Sequence, residues 1–175
     1  MRKPKSHRIR FSNWRKLGGK PLMTMASLVE QRLVEPLLQD GFEWTDVYLR
    51  DPDFPNNGNE IVLERGTGGE IAVIIFNFDK YHRPAFEMHL ARREAQPPYA
   101  FIHSASLVRR TSQYFHFWGK PWWLPVRFWT EGMSERAVAR LAGKLDQALA
   151  FVERGECGPN IGRLVHMVQR TTNAS

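Results

Sequence analysis

A single cysteine, Cys157, stands in the 175 residues. One thiol cannot close an internal disulfide, and it supplies too few sulfur ligands for a structural zinc site. A reducing compartment is expected, with cytoplasm as the default. Long apolar runs are also missing. The longest, Ile71–Phe76, is strand-sized and far below the ~20 residues of a membrane span. No apolar stretch with a small-residue cleavage site follows the charged N-terminus before Met23, so a secretory signal is not expected. Acid is absent from residues 1–23, which hold eight cations. The chain as a whole is +7, so the other 152 residues are close to neutral at −1. The basic character belongs to that segment and does not mark the body as a binder of polyanions.

With 42% apolar residues, the chain is rich enough for one packed core. A chain of this length can bury roughly 70% of its unfolded surface, so it needs no covalent staple. Residues 1–23 lack a sustained apolar period, and Pro4, Gly18-Gly19 and Pro21 break any long helix. The expectation is a basic, disordered arm whose removal (residues 1–22) leaves the melting temperature unchanged. Met23 and Met25 offer alternative starts. A single domain is expected over 24–170, with a flexible tail at 171–175.

Ser27-Leu28-Val29-Glu30 has the form of a capping box. Leu28, Val29, Leu33, Leu37 and Leu38 follow at helical spacing, Pro36 predicts a kink, and Gly41 marks the stop before Phe42. The period then changes to that of strands: Phe42–Arg50, Ile61–Arg65, Glu70–Phe78, Ala85–Arg92, Tyr99–Val108, Gln113–Trp118 and Val126–Trp129. Gly66–Gly69 reads as a hairpin turn, without the lysine and following helix of a phosphate loop. Ser134 is placed to cap a second helix carrying Val138, Leu141, Leu145, Leu149 and Val152, and Pro159 to open a short third one. Helix, strands, then helices, without regular alternation, predict an α+β fold: an antiparallel sheet of five to seven strands, with one N-terminal and two C-terminal helices packed on one face.

Gly41-Phe42, the pair Trp122-Trp123 and the helix from Ser134 carry a resemblance. In outline, over most of residues 27–165, the chain resembles small bacterial α+β domains of unknown function. The resemblance implies no catalytic residues.

Three constellations carry candidate chemistry. Tyr114, Phe115, Phe117, Trp118, Trp122, Trp123, Phe128 and Trp129 crowd one stretch, and an alternating strand can bury only half of its side chains. Alternation assigns Phe115 and Phe117 to the core. It leaves Tyr114, Trp118, Trp122 and Trp123 to bind a protein partner or a second copy, although the same rings could instead plug the core. In the basic segment Arg8, Arg10, Trp14, Arg15 and Lys16 could contact nucleic acid through phosphates and stacking; a solvated tail is the simpler alternative. His89, His103 and His116 fall on three predicted strands, with Glu87 on the side of His89, and could form an open zinc site. Their spacing matches no metal motif, and each could equally be a locally bonded surface histidine. No nucleophile elbow or paired-carboxylate spacing is present. The leading expectation is a non-enzymatic cytoplasmic binding module with no cofactor and no membrane contact. A nucleic-acid-associated protein and a metal-dependent hydrolase are the alternatives.

Overall fold

The computed structural model describes residues 7–45, 58–95, 101–108, 117–120 and 123–163. The chain opens with α1 (His7–Arg15), a 3-10 turn (Lys16–Gly18) and α2 (Gly19–Val29). A π-helical turn (Glu30–Val34) leads into α3 (Glu35–Gln39). The strands are β1 (Glu43–Trp44), β2 (Glu60–Thr67), β3 (Glu70–Phe78), β4 (Ala85–Glu94), β5 (Phe101–Leu107) and β6 (Trp118–Gly119). A 3-10 turn (Val126–Phe128), α4 (Glu131–Ala142), α5 (Leu145–Arg154) and β7 (Ile161–Arg163) complete the chain as described.

All seven strands join one antiparallel sheet of order β1-β2-β3-β4-β5-β7. The antiparallel α+β architecture follows from the sequence pattern, and Glu70–Phe78 forms a strand with the expected limits. β3 occupies one edge of β4 through Phe78 opposite Phe86, so β5 and β6 share the other. β5 pairs with β4 around His89–Arg93, and β6 pairs with it at Ala85–Phe86.

One sheet face carries Ile61, Leu63, Ile74, Phe76, Phe86, Met88, Leu90 and Leu107, and the helices close over it in a single buried cluster. Val138, Leu141 and Val152 join that cluster, each gaining on the order of 1.5–3 kcal/mol from burial. The other face has its own buried cluster of Val62, Val73, Ile75 and Ala91. Burial on both sides explains why Ile71–Phe76 is continuously apolar rather than alternating.

Several local expectations are corrected. Residues from His7 onward are helical rather than a disordered arm, because Phe11 and Trp14 reach the core and pack on Phe78 with ring centroids 5.0 and 6.2 Å away. Gly18-Gly19 does interrupt the helix, but helices lie on both sides of it. Pro21 is tolerated because it falls in the first turn of α2, where backbone N–H groups lack intrahelical acceptors. Ser27 lies inside α2 and caps nothing. Next to Pro36 the chain forms a π turn in which the Glu35 N–H donates to the Glu30 carbonyl, shifting the ladder ahead of the residue that cannot donate.

The remaining corrections lie toward the C-terminus. Val126–Phe128 is a 3-10 turn between Pro125 and Trp129, not a strand. α4 begins after Thr130, a turn earlier than expected. Ser134 is therefore buried within it, and its hydroxyl accepts from Trp129 Nε1 at 2.9 Å. Instead of a helix from Pro159, Ile161–Arg163 pairs with β5. Asn160 holds this strand: its Nδ2 donates to the Val108 carbonyl at 3.0 Å, and its Oδ1 accepts from Lys144 Nζ at 2.8 Å. Gly41 ends α3 at φ 88° and Phe42 is buried, both as expected. The expected tail at 171–175 and most of the expected strand Gln113–Trp118 fall outside the described residues.

Candidate functional site

In β6, Gly119 passes hard against the neighbouring strand. A Cβ there would lie 2.4 Å from the Pro84 carbonyl oxygen, and φ is 119°, so only glycine fits. This close approach fixes Lys120 N–H on the Pro84 carbonyl at 3.1 Å and turns Trp118 toward the helices. Trp118 is 1% exposed and donates its indole N–H to the Leu107 carbonyl at 2.9 Å. It is a core residue, and its expected role at a partner surface is corrected. Phe117, expected in the core, is 40% exposed because alternation carries it to the opposite side. Tyr114, Phe115 and Trp122 lie outside the described residues.

Past β6 the exposure persists. Trp123 is 66%, Val126 46% and Phe128 55% exposed, and the Arg127 guanidinium lies 4.9 Å from the Phe128 ring centre. Pro125 precedes the 3-10 turn and Thr130 follows it. A groove of about 520 Å³ runs between α2 and Glu131 in the first turn of α4. Lys20, Met23, Thr24, Leu28, Gln31 and Glu131 line it, and Met23 is itself exposed. Sequence reasoning placed the candidate surface in this stretch but chose the wrong ring at Trp118, assigned Phe117 to the core, and counted Phe128 in the stretch without assigning it to the surface.

The basic segment contributes less than expected. Trp14 is buried and stacks on His82 at 4.9 Å, so it cannot stack on a base. Arg15 is paired with Glu30, and Arg8 lies 6.0 Å from the Trp44 ring centre. Arg10 is half-buried, while Lys16 and Lys20 are exposed. The segment is thus split between core and surface.

The metal arrangement fails on sheet parity. His89 lies opposite Ser106 and His103 opposite Arg92, an odd number of residues away along β4. The two imidazoles therefore leave opposite faces of the sheet. His116 lies outside the described residues. No group of three or more His, Cys, Asp or Glu side chains close enough to hold a metal occurs among the described residues.

His89 instead belongs to a polar row on the face turned away from the helices. Its Nε2 lies 3.0 Å from Glu87 Oε2 and its Nδ1 3.0 Å from Ser106 Oγ. Facing a carboxylate, Nε2 is the donor, leaving Nδ1 to accept from the serine hydroxyl. The trio has the residue types of a nucleophile relay. Ser106, however, is completely buried, and a hydroxyl that no substrate carbonyl can approach is not a nucleophile. Across the sheet from Glu87 lies Asn77 on β3, and beyond it Glu60 on β2. Burial pushes the Glu60 carboxyl up to about 7, with the nearby His89 opposing the rise.

No helix among the described residues is long and apolar enough to cross a membrane. No family model, curated protein or solved structure matches the chain.

Proposed function

We propose that the chain is a binding module which, in a reducing compartment such as the cytoplasm, takes a protein partner on the aromatic stretch from Phe117 to Phe128. The observation that carries this reading is the exposure of four large apolar side chains, Phe117, Trp123, Val126 and Phe128, within twelve residues. Single exposed apolar residues are ordinary on protein surfaces, whereas a contiguous exposed apolar patch marks an interaction site. Trp and Phe anchors also bury large areas with few rotatable bonds, which is why aromatic residues dominate interface energetics. Glu131, a few residues past Phe128 in the chain, lines a groove to which Met23 and Leu28 add apolar surface.

A catalytic reading has less support, since the relay-like trio found among the described residues hides its hydroxyl. The nucleic-acid reading loses its stacking residue to the core in Trp14.

Photo-crosslinking tests the proposal. A photoreactive residue placed at position 123 or 128 of the full chain, expressed in cells, should give a discrete protein adduct. The same residue at exposed Glu135 on α4 should not. Trp123→Ser should abolish the adduct formed from 128 while leaving the urea unfolding midpoint in place. Equal, diffuse labelling from all three positions would sink the proposal. An adduct of twice the chain mass would identify the partner as a second copy.

A further inference from the structure

Acidic residues are missing from two long stretches of the chain, residues 1–29 and 95–130. The fold brings the two together. Met25 of α2 reaches β6, where its Cε lies 2.8 Å from the position a Cβ on Gly119 would take. Beyond β6, the Trp129 Nε1 donates to Ser134 Oγ and ties the end of the 3-10 turn to α4. Glu131, the first residue of α4, shares the groove with Lys20 and Met23 of α2. Arg127 and Phe128 precede Glu131 by four and three residues, and Lys16 precedes Lys20 by four. Four residues span at most about 14 Å, so one short peptide can reach all of them. Lys16, Lys20 and Arg127 are exposed and none is engaged in an ion pair among the described residues, whereas Arg15 is held by Glu30. The acid lining the groove, Glu131, stands in the first turn of α4, where the helix dipole favours a carboxylate.

We propose that the partner taken by the aromatic stretch is an acidic peptide with apolar anchor side chains. The inference rests on the reading of that stretch as a protein-binding surface and adds the chemistry of the occupant. The anchors pack on Trp123, Val126 and Phe128 and enter the groove beside Met23 and Leu28. The carboxylates lie toward Lys20 and Arg127, which give up no ion pair of their own to receive them. A nucleic acid would answer the charge, but Met23, Leu28 and Val126 are aliphatic and give a base no ring to stack on. An anionic bilayer would span a groove of about 520 Å³ without filling it, whereas side chains of a peptide fit such a depression.

Fluorescence anisotropy tests the proposal with the full chain and labelled peptides of equal length. One intersperses glutamate with leucine and phenylalanine, the second has lysine for every glutamate, and the third pairs glutamate with serine. Saturable binding is expected for the first alone, and it should weaken as sodium chloride is raised. Lys20→Glu combined with Arg127→Glu should weaken it about tenfold or more, and Glu131→Gln should strengthen it. All three positions are exposed, so the urea midpoint should stay in place. Equal binding of the lysine or serine peptide, indifference to salt and charge reversal, or no saturable binding overturns the proposal. Tighter binding of a single-stranded oligonucleotide or of phosphatidylglycerol vesicles overturns it too, assigning the cations to phosphate. The underlying protein-surface reading is judged separately by the adducts from positions 123 and 128. Adducts that persist undiminished when Lys20 and Arg127 are reversed remove the acidic partner and leave the surface; absent adducts remove both.

Discussion

Phe117 and Trp118 are chain neighbours with opposite fates, and the reason lies in a single donor. An indole buried without a partner would be costly, which argues on sequence alone for hiding the phenylalanine. The Leu107 carbonyl at the end of β5 supplies the partner, so the larger ring goes inside. Trp118→Ala should therefore destabilise the fold by about 3–5 kcal/mol in urea, and Phe117→Ala by no more than about 0.5. Gly119→Ala should cost on the order of 3 kcal/mol, since the added carbon meets the Pro84 backbone and the φ of 119° is closed to alanine. Glu60 is predicted to shape the pH dependence. Its carboxyl is raised by burial from 4.5 to about 7, so between those values the folded chain keeps a proton that the unfolded chain has released. Its contribution is fully present below pH 4.5 and is lost as pH rises through 7, a fall of about 3 kcal/mol. Denaturation midpoints recorded from pH 4.5 to 8 should show that decline in the wild type and lose it in Glu60→Gln.

At the scale of elements, strands were legible and helix limits were not. Glu70–Phe78 and Ala85–Glu94 announce themselves through branched and aromatic residues between turn formers, and their neighbours in the chain are their neighbours in the sheet. α1 was illegible because its buried apolar content is two rings, Phe11 and Trp14, among three cations, Arg8, Arg10 and Arg15. Such a helix draws its stability from tertiary packing on Phe78 and not from an amphipathic period of its own. The same holds for β7, three residues fixed by Asn160 rather than by any strand propensity. Phe11→Ala should cost about 3–5 kcal/mol. Removing residues 1–22 takes Phe11, Trp14 and Leu22 out of the core and should abolish a cooperative melt, which circular dichroism will show. Of the candidate site, the aromatic stretch was visible in composition. The polar row was not, because Glu60, Asn77 and Glu87 are brought into line only by cross-strand register.

The whole molecule is a two-sided sheet with helices on one side and a small apolar and polar array on the other. The order of strands also has a consequence in time. β2, β3, β4 and β5 pair in chain order, so most of the sheet closes by short-range steps. β7 reaches β5 only after the chain has passed through β6, α4 and α5, and α1 packs near β2 from the far side of about forty residues. Local loops close at less entropic cost than long ones, so the meander is expected in the transition state and β7 docking after it. In stopped-flow refolding, a substitution within the Gly68-Gly69 turn should slow the folding limb. Asn160→Ala should leave that limb in place and hasten unfolding, making the Asn160 anchor a determinant of how long the native chain lasts.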